Sequence, residues 1–183
     1  MSNIAHYVSF EGGPILVGSA KLLSSWRGIE STDYEELCSL FDHVPSSHCI
    51  PLTRFGNSAI AVDFGGAGTI RVLPIPDGIA LVRAWHDDPD SDDIYAEALQ
   101  VAPSNIEDSG DIELNSTAIV IAWAAESLEG LPSTVSGPTR PSINLSVDDS
   151  VVLFPLSGGR YSWTRDELNL SGGQVVRFIL RSS

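Results

Sequence analysis

The 183 residues carry 24 aspartates and glutamates against one lysine and nine arginines, a formal net charge of −14 at pH 7. That balance argues against a binder of phosphate backbones or anionic membranes and favours cationic partners: a basic protein, a polyamine or a metal ion. A hydrophobic fraction of 43% gives one domain a real core, and no apolar run reaches the length of a membrane span.

In chain order, Ile4 to Phe10 and Ile15 to Val17 read as strands around the turn Glu11-Gly12-Gly13-Pro14, so residues 4–18 suggest an opening hairpin. Ser19 can cap a short helix carrying Leu22, Leu23 and Trp26, which Gly28 ends. Thr32 caps a second, with Asp33, Glu35 and Glu36 where the helix dipole favours acid, and Pro45 closes it. Three short strands follow at Ile50 to Phe55, Ala59 to Phe64 and Thr69 to Pro74, separated by glycines. That spacing suits an antiparallel meander. Ile79 to His86 is apolar on both faces, the pattern of a central strand, and its small residues Ala80, Val82 and Ala84 invite a helix to pack closely.

Asp92-Asp93 opens a helical turn through Ile94 to Leu99. Residues 102–116 are polar and read as loop with a short strand near Ile112. Ala118 to Trp123 (Ala-Ile-Val-Ile-Ala-Trp) echoes Ala80 to Trp85 (Ala-Leu-Val-Arg-Ala-Trp), as expected of two central strands of one sheet, with a duplication as the alternative. Alternating segments lie near Ile143 to Val147, Val151 to Pro155, Arg160 to Trp163 and Val175 to Arg181. The expectation is an α+β fold, mainly antiparallel β-sheet with two or three short helices. Its parts are a main domain over 1–130, a Pro/Ser/Gly-rich linker or long loop over 131–141, and a small antiparallel extension over 142–183 packed on the main domain.

Candidate chemistry is sparse. Asp88, Asp90 and Asp92 have the first spacings of an EF-hand loop, but Asp93 stands where glycine is required and Leu99 where a bidentate glutamate belongs. Cys38, His43, His48 and Cys49 are zinc-competent, yet their spacing fits no common zinc motif. Cysteines are too few for a disulfide framework. There is no G-x-S-x-G elbow and no phosphate-binding loop with its lysine, so a hydrolase would need a site assembled only in space. Trp26, Trp85, Trp123 and Trp163 leave open a small-ligand or carbohydrate-binding β module that stacks sugars on an exposed ring.

The ordered set Tyr7 to Val17, Trp26-Arg27-Gly28, Asp33-Tyr34 and Val82-Arg83-Ala84-Trp85 resembles the immunity protein 21 family of bacterial polymorphic-toxin systems. Tyr7 and Phe10 depart from the family pattern, and the likeness is closest over the first half of the chain. The resemblance implies a cytoplasmic protein that binds and neutralises a cognate toxin, with no catalysis and no cofactor. An acidic surface suits a basic toxin. Asp87, Asp88, Asp90, Asp92 and Asp93 are the first candidates for the toxin-binding patch, with Glu11, Asp33, Glu35 and Glu36 second.

Overall fold

Alternating apolar residues become twelve strands and three helices in the computed structural model, whose described residues are 6–44, 46–86, 92–103, 105–132, 143–144 and 149–183. The strands are β1 (His6–Phe10), β2 (Ile15–Ser19), β3 (Cys49–Pro51), β4 (Ala59–Val62), β5 (Gly68–Ile75), β6 (Gly78–His86), β7 (Ile106–Leu114), β8 (Ala118–Trp123), β9 (Ile143–Asn144), β10 (Val151–Pro155), β11 (Gly159–Leu170) and β12 (Gly173–Ser182). The helices are α1 (Ala20–Leu23), α2 (Asp33–His43) and α3 (Asp93–Gln100). The fold is α+β, dominated by antiparallel strands, as the sequence pattern indicates.

Two six-stranded sheets face each other, in the orders β1-β5-β6-β12-β11-β7 and β3-β4-β2-β8-β10-β9. Between them lies the main core, where Val8, Ile15, Val62, Ile70, Leu81, Ile121, Phe154, Trp163 and Phe178 meet. Because strand side chains alternate, each sheet has a second face to cover. On the second sheet, Leu16, Ala61, Val120 and Leu153 pack under Trp26, Leu23, Leu37 and Leu128. On the first, Ala80, Val82, Val175 and Ile179 pack under Ile94 and Ala98 of α3. The small residues of β6 do admit a helix at close range.

Several local expectations change. Residues 4–18 are not a hairpin: β1 pairs with β5, whereas β2 pairs with β4 and β8, so the Glu11–Pro14 turn carries the chain from one sheet to the other. Turn chemistry bends the chain but does not choose its partners. The 102–116 segment is mostly the nine-residue edge strand β7, polar because much of it faces outward. The segment from Ile50 is a three-residue strand followed by a 3-10 turn at Thr53–Phe55. The echoing strands β6 and β8 occupy opposite sheets, not one, and each puts bulk into the shared core and small residues under a helical layer. That common environment accounts for their likeness. β11 and β12 lie inside the first sheet, and residues 133–141 of the expected linker fall outside the described residues.

Two buried charges fix α3. Arg177 of β12 and Asp166 of β11 point to the same outer face, each side chain 1% exposed, and join through two parallel hydrogen bonds, Nε to Oδ1 at 2.9 Å and Nη2 to Oδ2. Arg177 Nη1 also donates to the carbonyls of Ala98 and Val101, where a helix C-terminus lacks donors. At the other end of α3, Arg71 pairs with Asp92 while its guanidinium lies 3.8 Å from the Tyr95 ring. No helix among the described residues is long and apolar enough to cross a membrane.

Candidate functional site at the acidic end of the sandwich

The register of both sheets brings one set of strand ends together. β1 ends at Phe10 opposite Gly68, where β5 begins, and β6 ends at His86 opposite Gly173. In the other sheet Ile15 opens β2 beside Val62 and Trp123, the last residues of β4 and β8. Glu11–Pro14 bridges the two sheets here, held by Trp123 Nε1 donating to the Gly12 carbonyl at 2.6 Å and by Ala124 N donating to the Pro14 carbonyl at 3.0 Å. Gly13, at φ +82°, lies so close to Tyr34 of α2 that a Cβ there would sit 2.4 Å from the phenol oxygen. The turn thus abuts the acidic first turn of α2.

Two of the cations at this end are buried, and exposed Arg27, next to Gly28 on the Ala125 and Glu126 carbonyls, pairs with Glu129 at 3.7 Å. Arg83, 6% exposed, donates from Nη1 to the carbonyls of Phe64 and Gly66, each at 3.0 Å, and from Nη2 to that of Ala67. Its guanidinium also contacts Phe10 and Trp85, 5.2 and 4.3 Å from the two ring centres. Burial lowers its pKa, an effect that the charge of Asp63 opposes. Arg165, 2% exposed, donates from Nε to the Asp63 carbonyl at 3.0 Å and pairs with Glu107 and, at 3.7 Å, with Glu167. Asp108 accepts the backbone N–H groups of His48 and Cys49 at 2.6 and 3.0 Å, locking the entry to β3.

Carboxylates remain outside. A cleft of about 280 Å³ opens between the sheets, lined by Ser9, Phe10, Glu11, Gly68, Trp123, Glu126 and Ser150. Glu11 is exposed and Glu126 half-buried; Ser150 Oγ donates to Glu126 Oε1 at 2.8 Å. Phe10 and Trp123 supply the apolar walls. The residues come from four distant segments, and only the pairing of the sheets assembles them.

Of the five aspartates expected to form the first patch, Asp87, Asp88 and Asp90 lie outside the described residues. Asp92 is engaged by Arg71, and Asp93 begins α3. Asp33 is a structural tie: it accepts Arg54 Nη1 at 2.6 Å and the Arg27 backbone N–H at 3.0 Å, and the Arg54 bond leads in holding its carboxyl below the usual range. Glu35 and Glu36 are exposed on α2, where Thr32 Oγ1 donates to Glu36. Thr32 makes no capping bond of its own; Ser31 Oγ accepts the Asp33 N–H instead, at 3.1 Å. Sequence reading passed over Glu126, although it follows the echoed strand by three positions. It passed over Arg165 and Asp166 too, because adjacent charges in a strand ordinarily suggest a solvated edge.

The zinc-competent quartet does not converge. Cys49 is in the inter-sheet core, where burial pushes its thiol far up; Cys38 lies beside Tyr34, and His43 Nδ1 sits 2.6 Å from the Ser39 carbonyl. No three potential ligands cluster among the described residues. Trp26 and Trp163 are buried, at 2% and 4% exposure, and offer no stacking face. No family model, curated protein or solved structure matches the chain. The likeness to immunity protein 21 therefore rests on its short motifs, several of which have evident structural tasks: Gly13 admits Tyr34, Trp26 Nε1 donates to the Ala124 carbonyl, and Arg83 closes the glycine turn.

Proposed function

We propose that the chain binds and neutralises a cationic toxin by stoichiometric protein–protein contact, without catalysis, and that the acidic end of the sandwich is its contact surface. One observation carries the reading. Arg83 and Arg165 are buried at this end, whereas Glu11 and Glu126 line its cleft. Among the described residues, exposed Lys21 just after β2, Arg160 at the start of β11 (paired with Asp111) and Arg181 at the end of β12 lie towards the opposite end, while exposed Arg27 near this end is paired with Glu129. Such polarity orients and accelerates encounter with a basic surface. Glu35 and Glu36 extend the acidic surface along α2, and the chain runs on from His86 into Asp87, Asp88 and Asp90. The motif resemblance points in the same direction.

The test is affinity capture from the source cells followed by co-expression of each captured polypeptide with the chain. A basic polypeptide that arrests growth alone, and does not when the chain accompanies it, supports the proposal. Growth arrest unrelieved by co-expression, or capture of acidic partners alone, sinks it.

A further inference from the structure

We infer that the cleft between Glu11, Trp123 and Glu126 is a receptor for an arginine side chain of a partner protein. The inference rests on the cationic-partner reading above and names the group that this end admits. Four features point to a guanidinium.

The first is charge. Two carboxylates line the cleft, and the Ser150 hydroxyl already donates to Glu126 Oε1, leaving Oε2 as an acceptor. Its neighbour Trp123 has its one donor engaged by the Gly12 carbonyl. With two carboxylates against the hydroxyl of Ser9, acceptors predominate, so a fitting ligand brings donors and positive charge. The second is the wall. Half-buried Trp123 presents aromatic surface beside the carboxylates, with the 5%-exposed Phe10 behind, which suits a planar cation with an apolar stem better than a fully hydrated ammonium.

The third is size. At about 280 Å³ the space falls just under the ~300–1,000 Å³ of drug-sized sites, which suits one long side chain. The fourth is precedent within the same molecule. Arg83, Arg54 and Arg71 each place a guanidinium 3.8–5.4 Å from aromatic ring centres, and Arg54 and Arg71 each add a carboxylate partner. The cleft has the same two ingredients with no arginine of its own among its lining residues. Arg83 lies beneath Phe10 and Gly68, but three backbone carbonyls and Asp63 offset its charge, so Glu11 and Glu126 set the sign at the mouth.

The experiment titrates the full-length ¹⁵N-labelled chain with N-acetyl-arginine amide and follows the four tryptophan indole N–H resonances, assigned by single Trp→Phe variants. The lysine and citrulline amides are the comparison probes. The expected result is a saturable shift of the Trp123 resonance with the arginine probe, weaker binding of the lysine probe and no saturation with neutral citrulline. Affinity should fall by about tenfold in Glu11→Gln/Glu126→Gln, since the charge-assisted contacts go. The buried Trp26 and Trp163 resonances report that this variant is folded, and the exposed Glu11→Gln alone should give a smaller loss in the same direction. Citrulline binding as well as arginine, uniform movement of all four resonances, or unchanged affinity in both variants overturns the inference. A captured toxin that binds the double variant as tightly as the native chain removes the cleft from recognition while leaving neutralisation in place.

Discussion

Arg83 illustrates how a single side chain can organise a turn. In the loop from Phe64 to Ala67 the carbonyls of Phe64, Gly66 and Ala67 all accept from one guanidinium, the first of them in a buried bond. Replacing Arg83 with Met leaves the Phe64 carbonyl buried without that donor, while the carbonyls of exposed Gly66 and Ala67 can turn to water, so the variant should lose about 1–3 kcal/mol in urea unfolding. Arg83→Lys should recover only part, because an ammonium cannot span the fork. A loss below about 1 kcal/mol for the Met variant would show that water replaces the guanidinium. Asp33 makes a pH-dependent contribution. Its carboxyl is held low in the folded state, first by the Arg54 hydrogen bond, so its stabilisation is full above the ordinary carboxylate pKa and fades as pH falls through the lowered folded value. Asp33→Asn should therefore flatten the acid limb of the stability curve and matter most near neutrality, as a denaturation series from pH 7 to pH 2 would read.

At the scale of elements, α3 depends on strands far from it in sequence. Arg177 joins a buried carboxylate to the carbonyl end of the helix, so removing it harms both. Arg177→Met should cost about 3–5 kcal/mol, because the buried Asp166 carboxylate loses both bonds to its cationic partner, while the added change Asp166→Leu should restore much of it. Amide exchange in residues 93–100 should rise in the single variant beyond what global stability accounts for; unchanged exchange would detach the helix from the clamp. Much of the β-rich architecture was legible in the sequence. The two-sided apolar character of Ile79 to Trp85 announced a central strand, and Ala80, Val82 and Ala84 announced its helix. β7 was not legible, because Glu107, Asp108, Ser109 and Asp111 give an edge strand the composition of a loop, and Gly110 is there to admit the Trp163 ring. The crossing at Gly12-Gly13 was not legible either. Which sheet a strand joins is decided by contacts some 60 residues away, such as Val8 with Ile70, to which a local pattern is blind. The cleft shares that difficulty, since neither Glu11 nor Glu126 is unusual in its own segment.

For the whole molecule, the arrangement of charge matters more than its sum. Interior or paired positions take up Arg54, Arg71, Arg83, Arg165 and Arg177, so a basic residue in the sequence is a poor guide to a basic surface here. Trp85, 40% exposed beside the acidic end, offers a partner-free test. Its fluorescence should be quenched more efficiently by caesium than by iodide, and the difference should shrink in about 0.5 M salt as screening shortens the reach of the carboxylates. Equal quenching by the two ions at low salt would deny the polarity on which the toxin-binding proposal depends.

The Glu11–Pro14 crossing has a consequence for when the protein can act. Residues 9–11, 68, 123–126 and 150 meet only after both sheets have closed around that turn. A chain still emerging from the ribosome, or one partly melted, keeps its negative charge but lacks the proposed receptor. Loose attraction to a basic toxin would survive denaturation, whereas specific capture would vanish with the cooperative melting of the sandwich. The number of folded copies, rather than the number synthesised, would then set how much toxin a cell withstands.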